Sequence, residues 1–168
     1  MEEQKQAVGQ SQKTAAGKSI EPLRSEGKSG LYLGIDIGSI SSDIVVLDDN
    51  HAIVLSDYRR TKGKPIETLR AQLRDIFTKI NPADIITIAA TGSAARLPAK
   101  SLGIPFVNEV AAQAAAVSHL YPDIEKATVI EMGGQDSKMI FLHTVAGVRQ
   151  VRDFALNTVC AAGTGLQR

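Results

Sequence analysis

The alternation of hydrophobic and polar positions separates the chain into a polar segment and a patterned one. Residues 1–30 scatter their few apolar side chains without period among Gln, Ser, Gly and charged residues. Such a segment cannot bury enough apolar surface to offset the entropy that it would lose on ordering. We therefore predict a disordered polar tail over residues 1–30 and a folded region that begins at Leu31.

Apolar runs separated by polar turns predict three strands directly after the tail. These strands cover Leu31–Ile37, Asp43–Asp48 and Ala52–Arg59, and together they form an antiparallel meander. Apolar side chains then recur at helical spacing from Ile66 to Ile80, which predicts an amphipathic helix. The patterned region therefore opens with a small sheet and a helix that can cover one of its faces.

The rest of the patterned region predicts shorter elements of both kinds. They are the strand Ile85–Ala90, the helix Ala94–Leu102, the strand Ile104–Val107, an alanine-rich helix Glu109–Leu120 capped by Asn108, and the strands Thr128–Met132, Lys138–Leu142 and Val148–Phe154. The last three strands repeat the opening meander. We therefore predict an α/β fold with two lobes of similar design, the first complete over residues 31–122 and the second only begun over residues 123–168.

Charge and cysteine content narrow the classes of protein that fit. The 168 residues carry 19 Lys and Arg against 18 Asp and Glu, which gives a net charge of +1. This balance lacks the basic surplus of nucleic-acid binders, and no apolar run reaches the roughly 18 residues of a membrane span. The single cysteine, Cys160, excludes an internal disulfide and a metal site built on two cysteines of one chain. We expect a cytoplasmic protein that binds neither nucleic acid nor membrane.

A glycine turn follows the first predicted strand. Asp36 comes at the end of the strand, and Gly38, Ser39 and Ser41 come directly after it. Glycine lets backbone N–H groups approach a phosphate, and serine hydroxyls can donate hydrogen bonds to its oxygens. Asp36 could hold a water molecule bound to Mg²⁺. An ordinary hairpin turn explains the same residues, so this turn alone leaves both interpretations open.

A second turn of the same kind follows the strand that ends at Met132. Its residues are Gly133, Gly134, Gln135 and Asp136. Two such hairpins that face each other would grip a polyphosphate and its metal ion from both sides. The pair therefore indicates a nucleotide site more specifically than either turn does. Two tight turns in a β-rich domain are the alternative.

Two further residues carry candidate chemistry. Glu109 opens a helix, where the helix dipole favours a carboxylate that could orient or deprotonate an attacking water. Cys160 precedes a turn of small residues, where a thiol can become reactive or bind a soft metal or an iron–sulfur cluster. A capping acid and a buried, inert cysteine are the respective alternatives.

Taken together, these motifs resemble those of the actin, sugar-kinase and heat-shock-chaperone ATPase superfamily. Within it, the sequence is similar to the BadF/BadG/BcrA/BcrD-type ATPases, which include activators of 2-hydroxyacyl-CoA dehydratases and the ATPase subunits of benzoyl-CoA reductases. Two strings carry the resemblance: Ile-Glu-Met-Gly-Gly-Gln-Asp-Ser-Lys at residues 130–138, and Cys-Ala-Ala-Gly-Thr-Gly at residues 160–165. The resemblance extends from Leu31 to Gly165.

The resemblance implies a ribonuclease H-like, actin-like ATPase fold. It also implies a homodimer that uses ATP, Mg²⁺ and a bridging [4Fe-4S] cluster to pass a low-potential electron to a dehydratase or reductase. Asp36, Glu109 and Asp136 would have catalytic roles, and Cys160 would be a cluster ligand. The residues implied to contact the nucleotide are Gly38, Ser39, Ser41, Gly133, Gly134, Gln135, Gly163, Thr164 and Gly165.

The sequence departs from the family pattern in three places. A second cluster cysteine is absent, so two subunits would bring two thiolates. Asp43 stands where the family often has Lys, which would weaken a phosphate contact if its side chain points inward. In the family, the adenosine-binding segment lies beyond the position of Gly165, so we expect this polypeptide to bind ATP poorly or not at all.

Two other functions remain open from the sequence. One is a small-molecule kinase of the same superfamily, acting on a sugar or N-acetylhexosamine. The other is a non-catalytic module that senses a nucleotide or serves as a scaffold. Iron in the anaerobically purified protein would favour the activator, turnover of a sugar would favour the kinase, and intact folding without nucleotide binding would favour the scaffold.

Overall fold

The computed structural model describes residues 30–133 and 136–157, which form two β-sheets and three α-helices. The strands of the first sheet are β1 (Leu31–Ile37), β2 (Ser41–Leu47), β3 (Ile53–Arg60) and β4 (Ile85–Thr91), and those of the second sheet are β5 (Lys126–Met132), β6 (Ser137–Val145) and β7 (Val148–Asn157). The helices are α1 (Pro65–Phe77), α2 (Arg96–Leu102) and α3 (Glu109–Leu120). The predicted tail, up to residue 29, lies outside the described residues.

The first sheet has the strand order β3-β2-β1-β4. Strand β2 is antiparallel to both β1 and β3, as the predicted meander requires, whereas β4 runs parallel to β1. This register places Asp36 opposite Asp43 of β2 on one side and opposite Thr91 of β4 on the other. The carboxyl end of β1 therefore meets the end of β4 at one edge of the sheet.

Alternation along the strands builds the core on one face of the first sheet. Every second residue of β1 and β2 is buried, and the buried apolar residues of α1 face them at helical spacing. The resulting cluster consists of Leu33, Ile35, Ile37, Ile44, Val46, Leu69, Ile76, Ala90, Ala95 and Ala99. The buried Gln72 amide of α1 donates 3.0 Å hydrogen bonds to the Ser42 and Asp57 carbonyls, which ties the helix to β2 and β3.

The second sheet has the order β5-β6-β7, and both strand pairs are antiparallel. Alternation along β6 turns Lys138, Ile140 and Leu142 to the buried face. On the opposite face, Ile130 and Met139 lie opposite each other across β5 and β6, and both side chains are exposed. Only one face of this sheet is therefore packed within the described residues.

Helix α3 lies between the two sheets and contacts both. The Gln113 side chain donates a hydrogen bond to the Glu131 carboxylate of β5. Arg149 of β7 donates to the Val117 carbonyl at 3.1 Å, near the carboxyl end of the helix. The His119 ring packs against the His51 ring in the turn between β2 and β3, with 5.2 Å between their centroids. These contacts tie α3 to both halves of the described structure.

Three predicted elements differ clearly from the observed ones. The predicted strand Ile104–Val107 is wrong: only an isolated bridge joins Ala90 to Phe106. Pro105 has no N–H to donate, and two hydrogen bonds hold the segment to Ala90. The other difference is length, since β6 and β7 extend to Val145 and Asn157 and are longer than predicted.

A division of the chain between residues 122 and 123 stays a prediction. Of the helices in the described ranges, none has both the length and the apolar character to cross a membrane.

Candidate functional site

Two glycine turns with the same closure line one cleft between the sheets. The Gly38 N–H donates to the Ser41 carbonyl at 2.9 Å, and the Gly133 N–H donates to the Asp136 carbonyl at 2.9 Å. Both turns connect antiparallel strands, β1 with β2 and β5 with β6. The cleft has a volume of about 110 Å³ and is lined by Asp36, Gly38, Ser39, Ile40, Ser41, Ser93, Glu109, Glu131, Gly133, Asp136 and Lys138.

Thr61 holds the first turn in place from the end of β3. Its N–H donates to the Ile40 carbonyl at 2.8 Å, and its hydroxyl donates to the Ser39 carbonyl at 2.5 Å. The Thr61 side chain is buried, so water cannot readily compete for these bonds. The turn therefore presents its serines to the cleft from a rigid support.

Asp36 lies at the end of β1 and faces the cleft. Burial of its carboxyl, together with the charges of Glu109, Asp43 and Glu131, raises the pKa of Asp36 from 3.8 to about 6, while the Lys138 ammonium lowers it. A carboxyl of this kind exchanges its proton near neutral pH and gains from a bound cation. This behaviour is typical of functional carboxyls in clefts.

Gly92 lets the turn after β4 approach Asp36 closely. Its φ of +101° lies in the left-handed region, and a Cβ atom there would lie 2.3 Å from Asp36 Oδ1 and 2.4 Å from the Ile37 carbonyl oxygen. The Ala94 N–H donates to that same Ile37 carbonyl at 2.8 Å. Only glycine therefore allows this turn to place Ser93 in the cleft wall.

Lys138 is the cation at the centre of the cleft. Its side chain is 9% exposed, and its Nζ lies 2.6 Å from Glu109 Oε2, 3.0 Å from Asp136 Oδ1 and 3.2 Å from Glu131 Oε1. Desolvation of the buried ammonium lowers the pKa of Lys138, but hydrogen bonds to Glu109 and Asp136 and the charges of Glu131 and Glu109 outweigh it. The net result is a raised pKa, so Lys138 is charged at neutral pH.

The cleft carries more negative than positive charge. Four carboxylates line it, those of Asp36, Glu109, Glu131 and Asp136, against the single ammonium of Lys138. In the described part of the chain, no three His, Cys, Asp or Glu side chains stand close enough to hold a metal ion among themselves. Mg²⁺ in phosphate sites is commonly held by one or two carboxylates together with phosphate oxygens and waters. The oxygen donors of the cleft fit Mg²⁺ bound in that way.

The structure brings seven of the predicted site residues to this cleft. They are Asp36, Gly38, Ser39, Ser41, Glu109, Gly133 and Asp136. The other predicted positions, Gly134, Gln135, Cys160, Gly163, Thr164 and Gly165, lie outside the described residues. The Asn108 cap is confirmed, since its Oδ1 accepts a 2.9 Å hydrogen bond from the Val110 N–H at the start of α3.

Four residues that line the cleft were not among the predicted site residues: Ile40, Ser93, Glu131 and Lys138. Lys138 lies on the same face of β6 as Ile140 and Leu142, but the sequence does not reveal this face because residues 139–142 are all apolar. Asp43 is not among the residues that line the cleft. It influences the site through the pKa of Asp36, its direct neighbour across β1 and β2.

The two sheets and their helices have an α/β fold of the actin-like class. That class is confirmed by comparison with solved structures. The chain belongs to the BadF/BadG/BcrA/BcrD ATPase family, whose sequence model matches residues 33–167. The family predicted from the two sequence strings is thereby confirmed.

Its relatives in sequence and structure include activators of 2-hydroxyacyl-CoA dehydratases. The (R)-2-hydroxyglutaryl-CoA dehydratase activating ATPase of Acidaminococcus fermentans is 32% identical over 137 residues, covering 79% of this chain and 49% of the relative. The crystal structure of component A of (R)-2-hydroxyglutaryl-CoA dehydratase from the same organism superposes with a TM-score of 0.67 and 29% identity, covering 82% of this chain and 51% of that one.

A third relative was solved with a nucleotide analogue. The activator of the 2-hydroxyisocaproyl-CoA dehydratase from Clostridium difficile, with bound ADPNP, superposes with a TM-score of 0.60 and 27% identity. The match covers 82% of this chain and 48% of that one. The chain thus spans about half the length of the relatives that it matches.

The residues present do not fit a complete [4Fe-4S] site. Such a cluster is usually held by four thiolates. The chain has one cysteine, Cys160, which lies outside the described residues, and two copies would supply two thiolates. The amino end of α3 next to the cleft carries Val110, Ala111 and Gln113, none of which offers a thiolate.

Proposed function

We propose that this chain is the ATP-binding part of an ATPase that activates a 2-hydroxyacyl-CoA dehydratase, and that MgATP binds between its two glycine turns. One observation carries the proposal: the Gly38–Ser41 and Gly133–Asp136 turns close in the same way and line the same cleft. Relatives named as dehydratase activators support the choice of reaction partner. The bound ADPNP of one structural neighbour supports the choice of ligand.

In this proposal the two turns hold the phosphate chain from opposite sides. The hydroxyl groups of Ser39 and Ser41 would donate hydrogen bonds to phosphate oxygens, and Gly133 would let the second turn approach them closely. Asp36 and Asp136 would hold Mg²⁺ directly or through its waters. When bound, Mg²⁺ neutralises charge that develops on the phosphates. The cleft carboxylates would repel phosphate alone, so we expect nucleotide to bind as its magnesium complex.

Glu109 would orient the attacking water. It starts α3, whose Asn108 cap fixes the backbone, and its Oε2 lies 2.6 Å from Lys138 Nζ. A carboxylate held in this way can accept a hydrogen bond from water on the phosphate side of the cleft. We therefore infer that Glu109 affects the rate of hydrolysis more than it affects nucleotide affinity.

The wider activity is also part of the proposal. The full activator would act as a homodimer in the cytoplasm and drive low-potential electron transfer to a dehydratase or a benzoyl-CoA reductase type partner. The single cysteine of this chain does not supply the ligand set for the cluster. The steps proposed for this chain are therefore limited to binding and hydrolysis of MgATP.

Calorimetric titration and a hydrolysis assay test the proposal. We expect heat of binding with MgADP and much less with ADP in the presence of EDTA. Glu109→Gln should lower kcat by about 100-fold and change the dissociation constant for MgADP by less than about threefold. Glu125→Gln is the matched control, because Glu125 is exposed and outside the cleft. Absence of binding at millimolar MgADP, or equal hydrolysis by both variants, would contradict the proposal.

A further inference from the structure

Lys138 links a helix, a strand and a turn that meet at the cleft. Its ammonium group contacts Glu109 at the start of α3, Glu131 at the end of β5 and Asp136 in the second turn. It is the one cationic side chain that lines the cleft within the ranges that the structure describes. Lys138 therefore links the amino end of α3 to the second turn, in addition to the hydrogen bond from Gln113 to Glu131.

We propose that Lys138 is a positioning residue that competes with Mg²⁺ for the cleft carboxylates and sets the orientation of Glu109. The inference deepens the proposed function and rests on it for the identity of the cation. Either the Lys138 ammonium group or the metal ion then balances the negative charge of the cleft carboxylates.

The geometry explains why the two cations must compete. Glu109 and Asp136 each direct a carboxylate oxygen at Nζ, at 2.6 and 3.0 Å. A divalent ion that binds either carboxylate is attracted by the same negative charge and repels the ammonium group nearby.

The displaced ammonium group has a defined second role. Lys138 lies in the same cleft as Ser39, Ser41 and Gly133, the groups proposed to hold phosphate. An ammonium group that is released from carboxylates can donate to phosphate oxygens instead. Binding of Mg²⁺ would thus turn Lys138 from a carboxylate partner into a phosphate partner. Release from Lys138 also leaves the Glu109 oxygen available to water.

Calorimetric titration of the nucleotide-free chain with Mg²⁺ alone tests the competition. Lys138→Gln removes the competing charge, so Mg²⁺ should bind about tenfold more tightly than in the wild type. Lys138→Arg keeps the charge and should bind Mg²⁺ within about twofold of the wild type. Lys126→Gln removes an exposed lysine of β5, outside the cleft, and controls for the change in net charge. Unchanged or weaker Mg²⁺ binding by the folded Lys138→Gln variant would overturn the inference.

A second measurement needs no variant and covers the case in which Lys138→Gln fails to fold. In ¹⁵N-edited spectra of the wild-type chain, the Lys138 side-chain signal should shift with the same midpoint as Mg²⁺ binding, while that of Lys126 should not. A Lys138 signal that is indifferent to bound Mg²⁺ would overturn the inference. Titration with MgADP separates the two proposals: a chain that binds Mg²⁺ competitively but no nucleotide would contradict only the proposed function.

Discussion

The two sheets carry turns that are closed by the same kind of hydrogen bond, but the sheets that support these turns differ in how well they are packed. The first sheet is covered by α1 and α2, and its core contains all but two of the buried apolar side chains of the described residues. The second sheet contributes only Ile140 and Leu142, while Ile130 and Met139 on its other face are exposed. The comparison shows that the cleft joins a firmly held turn to one that depends more on polar contacts, chiefly those of Lys138.

The largest expected effect comes from a matched pair of core truncations. Ile44 and Ile140 are both fully buried, but Ile44 lies in the main cluster. Ile44→Ala should lower the free energy of unfolding by about 4 kcal/mol, because the rigid core around residue 44 cannot move in to fill the cavity that the substitution leaves. Ile140→Ala should cost about 2 kcal/mol, because its less packed surroundings can relax. Urea unfolding followed by circular dichroism measures both, and an equal or reversed order would contradict the comparison.

A pair of glycine substitutions comes next in size. Gly92 and Gly147 both have positive φ, but only at Gly92 would a Cβ atom meet other groups, at 2.3 and 2.4 Å. Gly147→Ala should therefore cost about 1 kcal/mol for the backbone conformation alone. Gly92→Ala should cost about 3 kcal/mol and also weaken nucleotide binding, because it displaces Asp36. Thermal unfolding and MgADP titration provide the two readouts, and similar costs at both sites would show that the approach to Asp36 is not tight.

The sequence predicted the first sheet better than the connections around it. The spacing of apolar residues predicted α1, which was found at Pro65–Phe77, because a period of 3.6 is a local property. The predicted strand at Ile104–Val107 was wrong: only an isolated bridge forms there, and Pro105 has no N–H to donate to a neighbouring strand. Both glycine turns could be predicted from local composition. The contact of Lys138 with Glu109 could not, since it joins residues of two different elements and depends on how the sheets pack.

The pH dependence of stability probes Asp36 at the end of β1. The pKa of Asp36 is raised from 3.8 to about 6, first by burial, so the folded chain binds this proton more tightly than the unfolded chain. The contribution of Asp36 to the free energy of unfolding therefore falls as the pH rises from about 4 to about 6, and then stays constant. Asp36→Asn removes this contribution. Urea unfolding of both proteins from pH 4 to pH 7 measures this effect. Between about pH 4 and about pH 6, the free energy of unfolding of the variant should rise relative to that of the wild type. A constant difference between the two proteins would contradict the raised pKa.

The smallest expected effect concerns the neighbour of Asp36 in the first sheet. Asp43 lies opposite Asp36 across β1 and β2, and its charge is one of the causes that raise the pKa of Asp36, after burial and Glu109. Asp43→Asn should lower the pKa of Asp36 and change Mg²⁺ affinity by no more than about threefold. Carbon-13 spectra of the Asp36 carboxyl during a pH titration measure this shift. A pKa that does not move would show that the two carboxyls are screened from each other.

The most direct test of the account follows the backbone amides of both turns while MgADP is added. In ¹H–¹⁵N spectra, the signals of Gly38, Ser39 and Ser41 and that of Gly133 should shift together. All should give one dissociation constant, even if binding requires millimolar nucleotide. That result would show one phosphate chain held between the two sheets. Shifts confined to one turn, or two turns that respond with different dissociation constants, would contradict the shared cleft.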